Sequence, residues 1–249
     1  MVLRRLFLRP FRPSPTEPCL PKGQRIYSIG DVHGRLDLLE KLVALIEADH
    51  HARGPADKTM IFLGDLIDRG PDSRGVIAFA RRMAAECRCK FLMGNHEEML
   101  LRIWDGNADK AAIFLHHGGD ALLRSYGADP LNLSPSETVY AVHSAVPEED
   151  IDFLRGFDPM YRAGDYVFVH AGVRPRIPLS AQDPIDLRWI RTEFTQSDAD
   201  FGAVIVHGHS VSDAPEFRPN RIGIDTGAYR SGKLTALGLE GPARWILST

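Results

Sequence analysis

Short apolar runs and stretches of helical periodicity alternate along this chain. Residues 26–29 form a short apolar run with the look of a buried strand, and Leu36, Leu39, Leu42, Val43 and Ile46 then recur at helical spacing. The pattern repeats twice more. Residues 60–63 predict a second strand and Val76, Ile77, Ala80 and Met83 a second helix. Residues 90–93 predict a third strand, and Met99, Leu100 and Ile103 a third helix. Strand–loop–helix units in series predict α/β layering around a sheet with parallel pairs.

Residues 107–164 read differently, as a helical cap over that sheet. Ser134-Pro135-Ser136-Glu137 combines a Ser cap, a Pro at the first helical position and a Glu that closes a capping box. Pro147 opens a further helix that Gly156 ends. Strands return at 166–169 and 203–206, and residues 222–225, 233–239 and 244–247 predict a closing antiparallel set. The chain thus divides into residues 1–24 and a domain at 25–249 carrying the 107–164 insertion. No internal repeat is present.

Composition adds limits. At 249 residues there is ample core for independent folding, and a formal charge of −3 gives no reason to expect nucleic acid as a partner. Three cysteines, Cys19, Cys87 and Cys89, make neither a disulfide framework nor a zinc site, so a reducing compartment, the cytoplasm, is expected. No apolar run reaches 18 residues, so no transmembrane segment is expected. Residues 1–24 carry Arg4, Arg5, Arg9, Arg12 and Lys22 against Glu17, with five prolines. That reads as a disordered basic tail. The alternatives are a weak contact with an anionic membrane through Leu3, Leu6 and Phe7, and an organelle transit peptide.

The chemistry gathers at strand ends. Asp31, His33, Asp65, Asn95, His170 and His209 each fall just past the C-terminal end of a predicted strand, where open α/β sheets bind ligands. Two carboxylates, three imidazoles and an amide oxygen form a mixed set suited to Mn, Fe or Zn more than to Ca or Mg. Six such groups exceed the needs of one ion. With Asp65 as a bridge, two divalent ions about 3.5–4 Å apart become natural, Mn being the first choice.

In order, Gly30-Asp31-Val32-His33-Gly34, Gly64-Asp65, Asp68-Arg69-Gly70, Gly94-Asn95-His96-Glu97, His170-Ala171-Gly172 and Gly208-His209-Ser210 resemble the motifs of the calcineurin-like metallophosphoesterases. Asp68-Arg69-Gly70 and Ile224-Asp225-Thr226-Gly227 resemble the phosphoprotein phosphatase branch, in its small bacterial and phage form. The resemblance spans residues 25–239 and implies a layered fold of mixed β-sheets flanked by helices. It implies Asp31 and His33 on one metal, Asp65 bridging, and Asn95, His170 and His209 on the other. It also implies a hydroxide bridging the two ions, Arg69, Arg191 and Asn95 on the phosphate, His96 as general acid and Asp68 as its orienting partner. Where many relatives place another His two residues after the one matching His209, this chain has Val211, which favours the phosphatase branch.

Any one of these residues alone would read as a turn or a satisfied hydrogen-bonder; the ordered set is what packing does not require. His50 and His51 read as helix-end residues, His116, His117 and His143 as cap residues, and His207 as pointing away from His209. Arg188 is a weaker rival to Arg191. Cys87 and Cys89 read as packing residues, and Gly118-Gly119 as a turn. The expected activity is phosphomonoester hydrolysis of the serine/threonine protein phosphatase type, on a phosphorylated protein or a small phosphoester. The alternative is a bis(5'-nucleosyl)-tetraphosphatase-like hydrolase of dinucleoside polyphosphates, and the remote one a non-catalytic scaffold.

Overall fold

The computed structural model describes residues 17–249. In chain order, the first half runs β1 (Gln24–Ile29), α1 (Leu36–Arg53), β2 (Asp57–Phe62), α2 (Ser73–Glu86), β3 (Cys89–Phe91) and α3 (Asn95–Trp104). Short helices follow: α4 (Ala111–Phe114), α5 (Asp120–Ser125), α6 (Pro135–Ala145) and α7 (Glu148–Arg155). The second half runs β4 (Met160–Ala163), β5 (Tyr166–Val169), α8 (Pro184–Trp189), α9 (Thr192–Thr195), β6 (Val204–His207), β7 (Glu216–Phe217), β8 (Arg221–Gly223), α10 (Ala228–Ser231), β9 (Thr235–Glu240) and β10 (Ala243–Ser248).

Side-chain alternation decides the layers. Tyr27 and Ile29 of β1, with Met60 and Phe62 of β2, pack against the helices of the first half. Ile26 and Ile61 point the other way and meet Tyr166 and Phe168 of β5 and Val204 and Val206 of β6. On the far face of the second sheet, Val167, Val169 and Ile205 pack on Leu187 of α8 and Phe194 of α9. The result is two five-stranded sheets, ordered β10-β9-β1-β2-β3 and β4-β5-β6-β8-β7, packed between helical layers. Strands β1, β2 and β3 are mutually parallel, as are β5, β6 and β8. The expected mixed sheets flanked by helices are therefore present.

Several local expectations change. Residues 107–155 are rich in helix, with the capping box at Ser134 and Glu137 in place. The end of the predicted helical stretch is instead strand β4, paired antiparallel with β5. The helices themselves share one core cluster with α1, α2 and α3. Strands β9 and β10 do close the first sheet antiparallel, but β8 lies in the second sheet, parallel to β6. A triplet such as Arg-Ile-Gly, with a single apolar side chain, reads alike in either sheet.

The part of the N-terminal segment for which a membrane contact is an alternative expectation, with Leu3, Leu6 and Phe7, lies outside the described residues. Its last residues are packed, contrary to a tail reaching residue 24. Leu20 is 2% exposed in the cluster between the sheets, and its N–H donates to the Gly241 carbonyl at 2.9 Å. Replacing Leu20 with Ala should cost about 2–5 kcal/mol, the range for removing a buried leucine side chain. Urea denaturation of the two proteins measures it, and an unchanged midpoint would mean that the segment does not belong to the core.

Candidate metal centre

The parallel blocks in the two sheets bring their following loops to one crevice, carrying Asp31 and His33, Asp65, Asp68 and Arg69, Asn95 and His96, His170, His209, and Asp225. These loops are tightly turned. Among the described residues, seven non-glycine positions have positive φ, and five of them are His33, Asp65, Asp68, Arg69 and His209. Such backbone costs on the order of 1–3 kcal/mol per residue and persists only where surroundings enforce it. Glycine allows the closest approach: a Cβ at Gly208 would lie 2.0 Å from Asp31 Oδ1.

Glu97 supplies much of the enforcement. Buried at the start of α3, it accepts from the Asp65 N–H at 2.8 Å, the Leu66 N–H at 2.7 Å and the Gly94 N–H at 3.1 Å. One carboxylate thus ties the loop after β2 to the loop after β3. Burial, and after it the charge of Asp65, pushes its carboxyl up to about 7. Sequence reasoning quoted Glu97 as part of a motif and gave it no task.

The donor atoms face one another. His170 Nδ1 donates to the Leu63 carbonyl at 2.8 Å, which leaves Nε2 with its lone pair. That Nε2 stands 3.1 Å from Asn95 Oδ1, 3.2 Å from His209 Nδ1 and 3.4 Å from Asp65 Oδ1. His33 is oriented the same way: its Nδ1 donates to the Ile67 carbonyl at 2.8 Å and its Nε2 lies 3.6 Å from Asp65 Oδ2. Lone pairs crowded together in a buried site need a cation between them, so these residues fit a metal. Two groups, His33–Asp65–His96 and Asp65–His170–His209, each offer donor atoms within 4.8 Å of one another, and Asp65 is common to both.

Electrostatics follow the same layout. Burial alone would raise Asp65, but the imidazoles of His170, His96 and His33 outweigh it and hold the carboxyl well below its usual range. Burial, reinforced by His170, pushes His209 down to about 2, leaving its imidazole neutral. Asp31 lies beside these groups. Its oxygens accept from the His209 N–H at 3.0 and 3.2 Å. Asp225 is its neighbour: burial, then Asp225, raises Asp31, and burial raises Asp225. Asp225 is a second site residue that sequence reasoning quoted without assigning.

Beside the donors, His96 Nδ1 donates to Asp68 Oδ2 at 2.7 Å, and Arg69 Nη2 donates to His96 Nε2 at 3.0 Å. Burial disfavours a charged His96, but Asp65 and Asp68 more than offset it and raise its pKa. Arg69 lies with its guanidinium carbon 4.7 Å from the centre of the Tyr229 ring, which packs edge-on to His33. Tyr229 carried no sequence signal. Its N–H bound to the Gly118 carbonyl at 3.2 Å, Arg69 is also tied to the helical stretch, where Gly118, with a φ of 110°, makes the expected turn between two helical segments. Arg191 reaches the His209 carbonyl at 3.2 Å, whereas Arg188 turns away to Glu98 at 2.8 Å. His207 points away, as expected, its ring against Phe194.

An α/β/β/α sandwich with such donors at its strand ends is the architecture of the metal-dependent hydrolases of phosphoric esters. A family model described as calcineurin-like phosphoesterase matches residues 24–236, and the chain belongs to that family, whose members depend on a dinuclear metal centre. It is 27% identical over 230 residues to a bis(5'-nucleosyl)-tetraphosphatase PrpE [asymmetrical] of Bacillus velezensis, spanning 83% of this chain and 86% of that one. It is 34% identical over 102 residues to serine/threonine-protein phosphatase 1 of Salmonella typhimurium, spanning 41% of this chain and 42% of that one. A solved structure provisionally assigned as a diadenosine tetraphosphatase superposes with a TM-score of 0.63 at 20% identity, covering 91% of this chain and 94% of its own.

The Glu97 clamp yields a prediction. Glu97→Gln puts an amide where three backbone donors converge, so at least one N–H loses its acceptor, at a cost on the order of 1–3 kcal/mol. Because the clamp positions Asp65, Mn²⁺ affinity should fall about 10–100-fold, as for other groups that orient metal ligands. Calorimetric Mn²⁺ titration checks this; unchanged affinity would remove Glu97 from the support of the site.

Proposed function

We propose that this protein hydrolyses dinucleoside polyphosphates such as diadenosine tetraphosphate, cutting them into unequal products. The observation that carries the reading is coverage. Likeness to an asymmetrical tetraphosphatase extends over most of both chains, while likeness to a serine/threonine phosphatase stops at about two fifths of each. The order expected from sequence, monoester first and dinucleotide second, is therefore reversed. The site also suits an extended substrate: clefts of about 610 and 620 Å³ meet at Arg69 and Tyr229 beside the donors.

Asp31, His33 and Asp65 would hold one divalent ion, with Asp225 behind Asp31, and Asp65, Asn95, His170 and His209 the other, Mn being our first choice and Fe or Zn the alternatives. When bound, such ions activate water and neutralise phosphate oxygens. Arg69 and Arg191 grip the phosphate, Arg69 with a planar fork that must leave His96 Nε2 to do so. That departure frees Nε2 to carry a proton toward the leaving oxygen, while Asp68 holds the ring from Nδ1. Three unpaired thiols agree with the cytoplasm as the location.

Two outcomes test this. Chelation should abolish activity and Mn²⁺ restore it, with kcat/KM higher for diadenosine tetraphosphate than for any member of a phosphopeptide panel and with AMP and ATP as products. A phosphopeptide advantage, or two ADP, would overturn the reading. Separately, His96→Asn should slow phosphoserine-peptide hydrolysis on the order of 10²-fold or more, and far more than that of para-nitrophenyl phosphate, whose leaving group needs no proton. Equal slowing of both would remove the general-acid role.

A further inference from the structure

A third cleft, of about 330 Å³, opens between α3 and α8, its apolar walls Met99, Ile113, Ile185 and Trp189 accompanied by the charged Glu98, Arg102 and Lys110. Its walls both lead to the donor cluster. Asn95 begins α3, and Glu98 and Arg102 stand three and seven residues later on the same face, about 5 and 10 Å farther along the axis. The other wall ends at Trp189, two residues before Arg191, whose guanidinium reaches the His209 carbonyl.

Trp189 is held in an unusual state for an exposed aromatic ring. Its side of the cleft leaves the residue 40% exposed, yet its indole N–H donates to Glu98 Oε2 at 2.8 Å. Glu98 is itself fixed, accepting from Arg188 at 2.8 Å and from Arg102 at 2.7 Å. The indole is therefore locked in place while its surroundings, Ile113 and Ile185, remain 45% and 54% exposed. A rigid π-face loses little conformational freedom when a ring stacks on it. The guanidiniums of Arg102 and Arg188 share the single carboxylate of Glu98, which leaves net positive charge beside the cleft and suits a ligand that is flat and apolar at one end and anionic at the other.

We propose that this cleft receives one nucleobase of the dinucleoside polyphosphate, stacked on Trp189, with its phosphates running back along α3 to Asn95 and Arg191; this rests on the substrate reading above. The probe is AMP, compared with inorganic phosphate as an inhibitor of para-nitrophenyl phosphate hydrolysis by the Mn²⁺-loaded enzyme. AMP should bind more tightly than phosphate, by on the order of tenfold from base stacking. Trp189→Ala should erase that preference with kcat on para-nitrophenyl phosphate unchanged, and Trp189→Phe, which keeps a π-face, should retain most of it. If the wild-type enzyme turns over diadenosine tetraphosphate while Trp189→Ala keeps the full AMP preference, the cleft is wrong and the function stands. If the wild-type enzyme hydrolyses only para-nitrophenyl phosphate and binds AMP no better than phosphate, both are wrong.

Discussion

A single buried carboxylate, that of Asp65, sets the geometry of everything around it. One oxygen stands near the imidazole of His170 and accepts from the His96 backbone N–H at 3.1 Å; the other stands near His33. Its backbone has a φ of 51°, a conformation few aspartates keep without compulsion. The compulsion comes from Glu97 beneath, and Glu97 is available only because α3 begins immediately after the third strand. Sheet, turn and helix thus converge on one side chain. The two donor groups inherit their spacing from it.

That arrangement is shared by enzymes of different substrate preference, so it could not have chosen among them. The fold and the donors describe how a phosphoester is attacked; they say little about what is attached to the phosphorus. The choice rests instead on surfaces flanking the donors, where the helical stretch touches Arg69 through Gly118 and where α8 presents its indole. The likeness to a tetraphosphatase spans 83% of this chain, and the likeness to a protein phosphatase 41%.

What could be seen in the sequence followed from physical necessity at short range. Short apolar runs marked β1, β2 and β5, because those strands are buried on both faces, and period-3.6 patterns marked the first three helices, because each buries one face. The ligand-bearing loops stood out because nothing in packing calls for Asp, Asn and His in succession at strand ends. Long-range facts were hidden. β8 carries too few residues to declare its sheet, and the Met-Tyr-Arg-Ala of β4 has no clear alternation. Leu20, one apolar residue among prolines and charges, looked solvated until the gap between two sheets was there to hold it. Glu97 and Asp225 were quoted in motifs, but their tasks depend on partners 31 to 194 residues away.

The packing of Leu20 has a geometric corollary. Arg25 at the start of β1 pairs with Glu240, next to the Gly241 that binds Leu20, whereas the donors follow the opposite end of β1. Six strand residues at about 3.3 Å each separate the two ends by roughly 20 Å. Leu20 therefore seats at the pole of the domain away from the donors, so the residues that close the gap between the sheets and those that gather the donors sit at opposite ends of the same strand.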